Sequence, residues 1–143
     1  MKQRQQEQLD SFYKTHRGVY TALPIMSSFK NIIAALRSKT VPSLPEFEMD
    51  GIGNLVRQAW IEQEQIGWTH LFKGRLSKGW SRAQKAYYSS NPSLSQKKTL
   101  NRTVWSKRTI QSFLQFSLQL WNDRCDILHG AELKDQKSKM KEK

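Results

Sequence analysis

From residue 24 onward, apolar residues recur at intervals of three and four, the spacing of helices that bury one face. In "PIMSSFKNIIAALRSK" the positions Ile25, Phe29, Ile32, Ile33 and Leu36 form one stripe, and Pro24 stands where a first helical turn accepts proline. "TVPSLPEFEMDGIG" breaks the pattern with Pro42, Pro45, Gly51 and Gly53, and so reads as a loop in which Asp50 caps the next helix. That helix carries Leu55, Val56, Ala59, Trp60 and Ile66 and runs to about Trp68. Gly67 and Gly74 bracket a shorter piece with Leu71 and Phe72. Ser77 is an N-cap for a further helix through Trp80, Ala83, Gln84 and Tyr87, stopped by "SSNPS".

The last helix is expected to be the longest and to lie at the centre of the fold. Leu100, Val104, Ile110, Leu114, Ser117, Leu118, Trp121, Cys125 and Leu128 make its stripe, Phe113, Phe116 and Leu120 widen it, and Gly130 ends it. By contrast, Gln3 to Arg17 is rich in Gln, Glu and Lys and reads as an exposed helix closed by Gly18. Residues 1–24 are thus expected to be a polar extension, 25–130 a helical domain, and 131–143 a basic, disordered tail with almost nothing to bury. No segment alternates with the period of a strand. The fold class predicted is all-α, an irregular bundle of four to five helices.

Composition sharpens the core. In 143 residues one modest core fits. With only 37% hydrophobic residues, five Trp, six Phe and four Tyr must supply much of it. Trp60, Trp68, Trp80, Trp105 and Trp121 are read as core anchors, roughly one to a helix. The lone Cys125 has no partner for an intramolecular disulfide and falls on the apolar stripe. The N-terminus is too polar for a signal peptide, and the longest apolar run, "IIAAL", is far too short for a membrane span. A soluble protein of the cytoplasm or nucleus is expected.

Charge changes the picture most. Residues 1–72 hold eight Lys/Arg against seven Asp/Glu, whereas residues 73–143 hold sixteen against five. Between Glu64 and Asp123 there is no acidic residue, while Lys73, Arg75, Lys78, Arg82, Lys85, Lys97, Lys98, Arg102, Lys107 and Arg108 supply ten positive charges. A block of one sign suits a polyanion. Lys78, Arg82 and Lys85 fall at spacings of four and three on one helical face, a geometry that tracks a phosphate backbone. Tyr88, with Tyr87, stands where it would stack on unpaired bases. Nucleic acid is the expected partner, and an acidic protein served by a helical adaptor is the other class.

Conventional catalysis finds little support. There are no paired carboxylates, no phosphate-binding glycine loop and no serine elbow, and no Cys/His cluster has zinc spacing. His16 and His70 stand alone and read as surface or helix-end residues. No cofactor or metal is predicted.

The stretch "LWNDRCDILHG" (Leu120 to Gly130) supports two readings of Arg124 and His129. Taken by themselves they are the polar trim of a helix end, Arg124 bonded to neighbouring carbonyls or to an acidic residue from the first half and His129 near the last carbonyls before Gly130. The R-x4-H spacing, however, resembles the signature of HEPN domains, small all-α modules many of which cut RNA without metal. That resemblance implies a metal-independent ribonuclease, with Arg124 and His129 at a composite site usually made by two copies and the histidine in proton transfer. A homodimer would follow.

A second resemblance covers about residues 50–130. "QAWIEQEQIGWTHLFKGRLSKGWSRAQKAYY" (Gln58 to Tyr88), followed by a Trp-containing helix and "LWNDRCDILHG", is similar to a segment of predicted proteins of microalgae associated with reverse-transcriptase-type mobile elements. It implies a mobile-element context and no particular activity.

Overall fold

The computed structural model describes residues 2–120, and these are helical with no strand among them. In chain order they form α1 (Lys2–Gly18), α2 (Leu23–Ser38), α3 (Gly51–Ile66), α4 (Trp68–Leu71), α5 (Lys78–Ser90) and α6 (Pro92–Ser95). A last helix, α7, occupies 102–120 of the described residues. The all-α bundle expected from the hydrophobic spacing is what forms. Expectations that concern Trp121, Cys125, Leu128, Gly130 and the tail lie outside the described residues.

Local signals explain most boundaries. Pro24 stands in the first turn of α2, which ends at Lys39 in the left-handed region, φ 55°. Asp50 caps α3 by accepting from the Gly53 N–H at 2.7 Å. Gly67, at φ 115°, separates α3 from α4 in a conformation that favours glycine. Asn101 opens α7: its side-chain oxygen accepts from the Val104 N–H at 2.9 Å. The spacing had carried the last helix back to Leu100, one residue before that cap.

Aromatic rings from several helices meet around Phe113 of α7. Its ring centroid is 5.0 Å from Phe12 of α1, 4.9 Å from Phe29 of α2 and 5.4 Å from Phe72, mostly edge to face. Phe29 in turn lies 5.0 Å from Trp80 of α5. Such pairs add about 0.5–1.5 kcal/mol each to the area they bury. The described part of α7 is therefore central, as its length suggested. Trp60, Trp80 and Trp105 are buried anchors, and Trp68 is half-buried with its ring 4.6 Å from Trp60.

Two expectations are corrected. The first concerns α1, which is not an exposed extension: Leu9, Phe12 and His16, spaced three and four apart, are buried in the same core as α2 and α7. Three well-placed residues suffice to dock a helix that is otherwise Gln, Lys and Glu. The second concerns the face of α7. Trp105, Thr109, Ser112, Phe113 and Phe116 point inward, while Leu114 is 43% exposed and Leu118 58%. Rotating the helix to bury three large rings removes more apolar area from water than burying those leucines would.

His16 stands in the last turn of α1, the helix-end placement that was one of its two readings, and it is buried rather than at the surface. Trp105 Nε1 donates to Thr21 Oγ1 at 3.0 Å, and Thr21 Oγ1 is 2.8 Å from His16 Nδ1. His16 Nε2 is 3.1 Å from Ser112 Oγ, which donates to the Thr109 carbonyl at 2.7 Å. An indole only donates and a carbonyl only accepts, so the chain has one direction. Thr21 donates to Nδ1, and a protonated Nε2 donates to Ser112. Burial holds this imidazole at a pKa of about 4 against an ordinary 6.5.

Candidate nucleic-acid interface

Helix α5 presents the central part of the basic block because its other faces are committed to packing. Gly79, Trp80, Ser81, Ala83, Gln84 and Tyr88 are buried, which leaves Lys78, Arg82 and Lys85 pointing outward. Gly79 lets α5 approach α3 closely: a Cβ there would stand 2.6 Å from Ala59 Cα. Ser77 occupies the N-cap position, as expected, but its side chain does not cap. It donates across to the Ala59 carbonyl at 3.1 Å. The capping is done from α3, where Glu62 Oε2 accepts from the Gly79 N–H at 3.0 Å.

Glu62 also qualifies the expectation of a one-sign surface. Its other oxygen pairs with Arg82 Nη1 at 3.3 Å, so an acid from α3 stands beside one of the three cations on this face. A pair this exposed contributes about 0–1 kcal/mol. The sequence signal misses it because the acid lies twenty positions earlier.

The loop before α5 is held by Gln63, which is fully buried. Its side-chain oxygen accepts from the Ser77 N–H at 2.8 Å and from Trp80 Nε1 at 3.2 Å, and its Nε2 donates to the Arg75 carbonyl at 2.9 Å. Lys73 and Arg75 are thus carried, exposed, on a braced loop. Gln84 does the same at the α1–α2 turn, accepting from the Ala22 N–H and donating to the Tyr20 carbonyl, both at 2.9 Å.

The remaining cations are not all alike. Lys98, Lys107 and Arg108 are exposed, but Lys107 and Arg108 are consecutive on α7 and diverge by about 100°. Lys97 holds its ammonium 4.9 Å above the ring of Tyr20. Arg102 is half-buried, and its Nε donates to Ser81 Oγ at 2.9 Å.

Tyr88 does not stack on anything outside the molecule. It is buried, its hydroxyl donates to the Val19 carbonyl, and burial raises its pKa above the ordinary 10.0. Tyr87 is half-buried beside it. The exposed ring near the cations is Tyr20, 43% exposed at φ 54° just after α1. Its place after the helix-ending Gly18 was the signal available, and only the fold reveals Lys97 beside it.

A cleft between α1 and α7, lined by Gln8, Ser11, Thr15, Ser112, Gln115 and Gln119 above Phe12 and Phe116, has about 10 Å³ of room, enough for roughly one water. Among the described residues no group of His, Cys, Asp and Glu could hold a metal ion. No described helix is long and apolar enough to cross a membrane. Arg124 and His129 lie outside the described residues. Comparison with protein-family models, curated proteins and solved structures gives no match.

Proposed function

We infer that this chain is a nucleic-acid-binding helical module, and that its basic face engages the phosphate backbone. The observation that carries the reading is the run of exposed cations from Lys73 to Arg108, into which no acidic residue enters between Glu64 and Asp123. Glu62 reaches that face from α3, but it meets Arg82 and leaves Lys73, Arg75, Lys78, Lys85, Lys98, Lys107 and Arg108 to the surroundings, while Lys97 lies over Tyr20. Concentrated positive charge of this kind releases counterions when it meets a polyanion. Tyr20 supplies an exposed ring at its edge. The resemblance of residues 50–130 to segments of mobile-element proteins agrees with the same partner.

Titration of labelled single- and double-stranded DNA and RNA at two salt concentrations tests the reading. Affinity should fall steeply as salt rises, by about 0.7–0.9 in the log–log slope for each phosphate neutralised. Replacing Lys78, Lys85 and Lys98 together by Gln should weaken binding more than replacing Lys137, Lys139 and Lys141. Failure of all four probes at low salt overturns the proposal.

A further inference from the structure

One buried hydroxyl links a cation of α7 to the helix that carries the centre of the basic face. Ser81 lies on the inner side of α5, and Lys78 and Lys85 stand three residues before and four residues after it. On a helix those are the positions adjacent to it, one turn either way. A cation from α7 bonds to Ser81 directly: Arg102 Nε donates to Ser81 Oγ at 2.9 Å, and Ser81 in turn donates to the Lys78 carbonyl at 2.9 Å. The serine's single proton is committed to that carbonyl, so its oxygen is left to accept from the guanidinium.

This arrangement runs against what folding alone would choose. Arg102 stands in the first turn of α7, where the helix's own positive end disfavours a cation. It is tied to the helix that bears Lys78 and Lys85, and the acid that reaches that helix, Glu62, is paired with Arg82 instead. Tethering through Nε fixes the plane of the guanidinium, while Nη1 and Nη2 meet no partner among the described residues. A planar fork held in place with both prongs free matches two oxygens of one phosphate group.

Resting on the nucleic-acid reading above, we propose that Lys78, Lys85 and Arg102 form a seat for a single backbone phosphodiester, with Arg102 as a bidentate fork and Ser81 as the residue that positions it. The two lysines serve as point charges flanking the same group. The rest of the basic face attracts the polymer without fixing its register; the seat fixes one phosphate.

The number of phosphates distinguishes the seat from diffuse attraction. With a labelled single-stranded DNA as probe, replacing all three cations by Gln should flatten the log–log salt slope by about 0.7, one phosphate, although three charges are gone. A flattening of about 2, one phosphate for each charge, overturns the seat. Arg102→Lys keeps the charge and loses the fork, and should weaken binding about tenfold at fixed salt with the slope unchanged. Ser81→Ala should weaken binding in the parent, add nothing in the Arg102→Lys background, and be reversed by Ser81→Thr. Thermal midpoints taken on each variant confirm equal folding, and Arg102→Lys, at the half-buried edge, leaves the core untouched. If Arg102→Lys binds like the parent, the seat is wrong and the nucleic-acid reading stands. If the parent binds no probe at low salt, both fall.

Discussion

Lowering the pH should loosen the attachment of α1 to α7 through one side chain. Neutral His16 fits its site, receiving a proton from Thr21 at Nδ1 and giving one to Ser112 from Nε2. A second ring proton would point at Thr21 Oγ1, whose own proton would have to turn away. The native pKa of about 4 lies below the ordinary 6.5 expected of the unfolded chain. Between those values the unfolded state binds a proton and the native state does not, so stability falls as pH falls. The contribution is complete above about pH 6.5, decreases by about 1.4 kcal/mol per pH unit, and stops changing below about pH 4. The whole loss is about 3 kcal/mol, a large part of a typical domain stability of about 5–15 kcal/mol. Urea denaturation of the parent and of His16→Gln at half-unit steps from pH 7.5 to 3.5 measures it, and the comparison subtracts the carboxylates that titrate in both. The parent should lead at pH 7 and lose that lead by about pH 4. Parallel curves would refute the reasoning.

Two further predictions concern the scaffold. Phe12→Ala should cost about 3–5 kcal/mol in urea denaturation, as removal of a buried ring does; a loss below about 1 kcal/mol would return α1 to the status of a polar extension. Gly79→Ala should destabilise by roughly 1–3 kcal/mol, because the new methyl meets backbone at Ala59 and outweighs the gain, at most about 1 kcal/mol, that alanine brings to a first helical turn. Ala59→Gly should relieve that variant only in part, since the nearest atom, Ala59 Cα, remains. A neutral or raised melting temperature for Gly79→Ala would show that the two helices can part at little cost.

The sequence made α2, α3 and α5 legible because each carries a broad apolar stripe between strong stop signals. Asp50 and the "SSNPS" stop follow from local chemistry alone. Helix α1 was legible as a helix but not as part of the core, because Leu9, Phe12 and His16 are sparse among polar neighbours. On α7 the periodicity admitted two faces, and only the rings arriving from α1 and α2 decide between them. The basic block was plain in composition, yet its internal differences were not. Arg82 is answered by Glu62, Arg102 is tethered to Ser81, and Tyr88 is buried, each through a partner supplied by another element. Gln63 and Gln84 gave no signal at all, since a glutamine destined for the interior looks like any surface glutamine until its partners are placed.

Those two glutamines separate the geometry of the basic face from the medium around it. The bonds of a side-chain amide carry no net charge, do not titrate across the range in which proteins fold, and respond weakly to dissolved ions. The loop bearing Lys73 and Arg75 and the turn bearing Tyr20 are both held by such bonds. Ionic strength therefore acts on how strongly the face attracts its ligand while leaving that loop and that turn in place, so a change of salt turns affinity up or down as a dial would, without moving the backbone that carries those side chains.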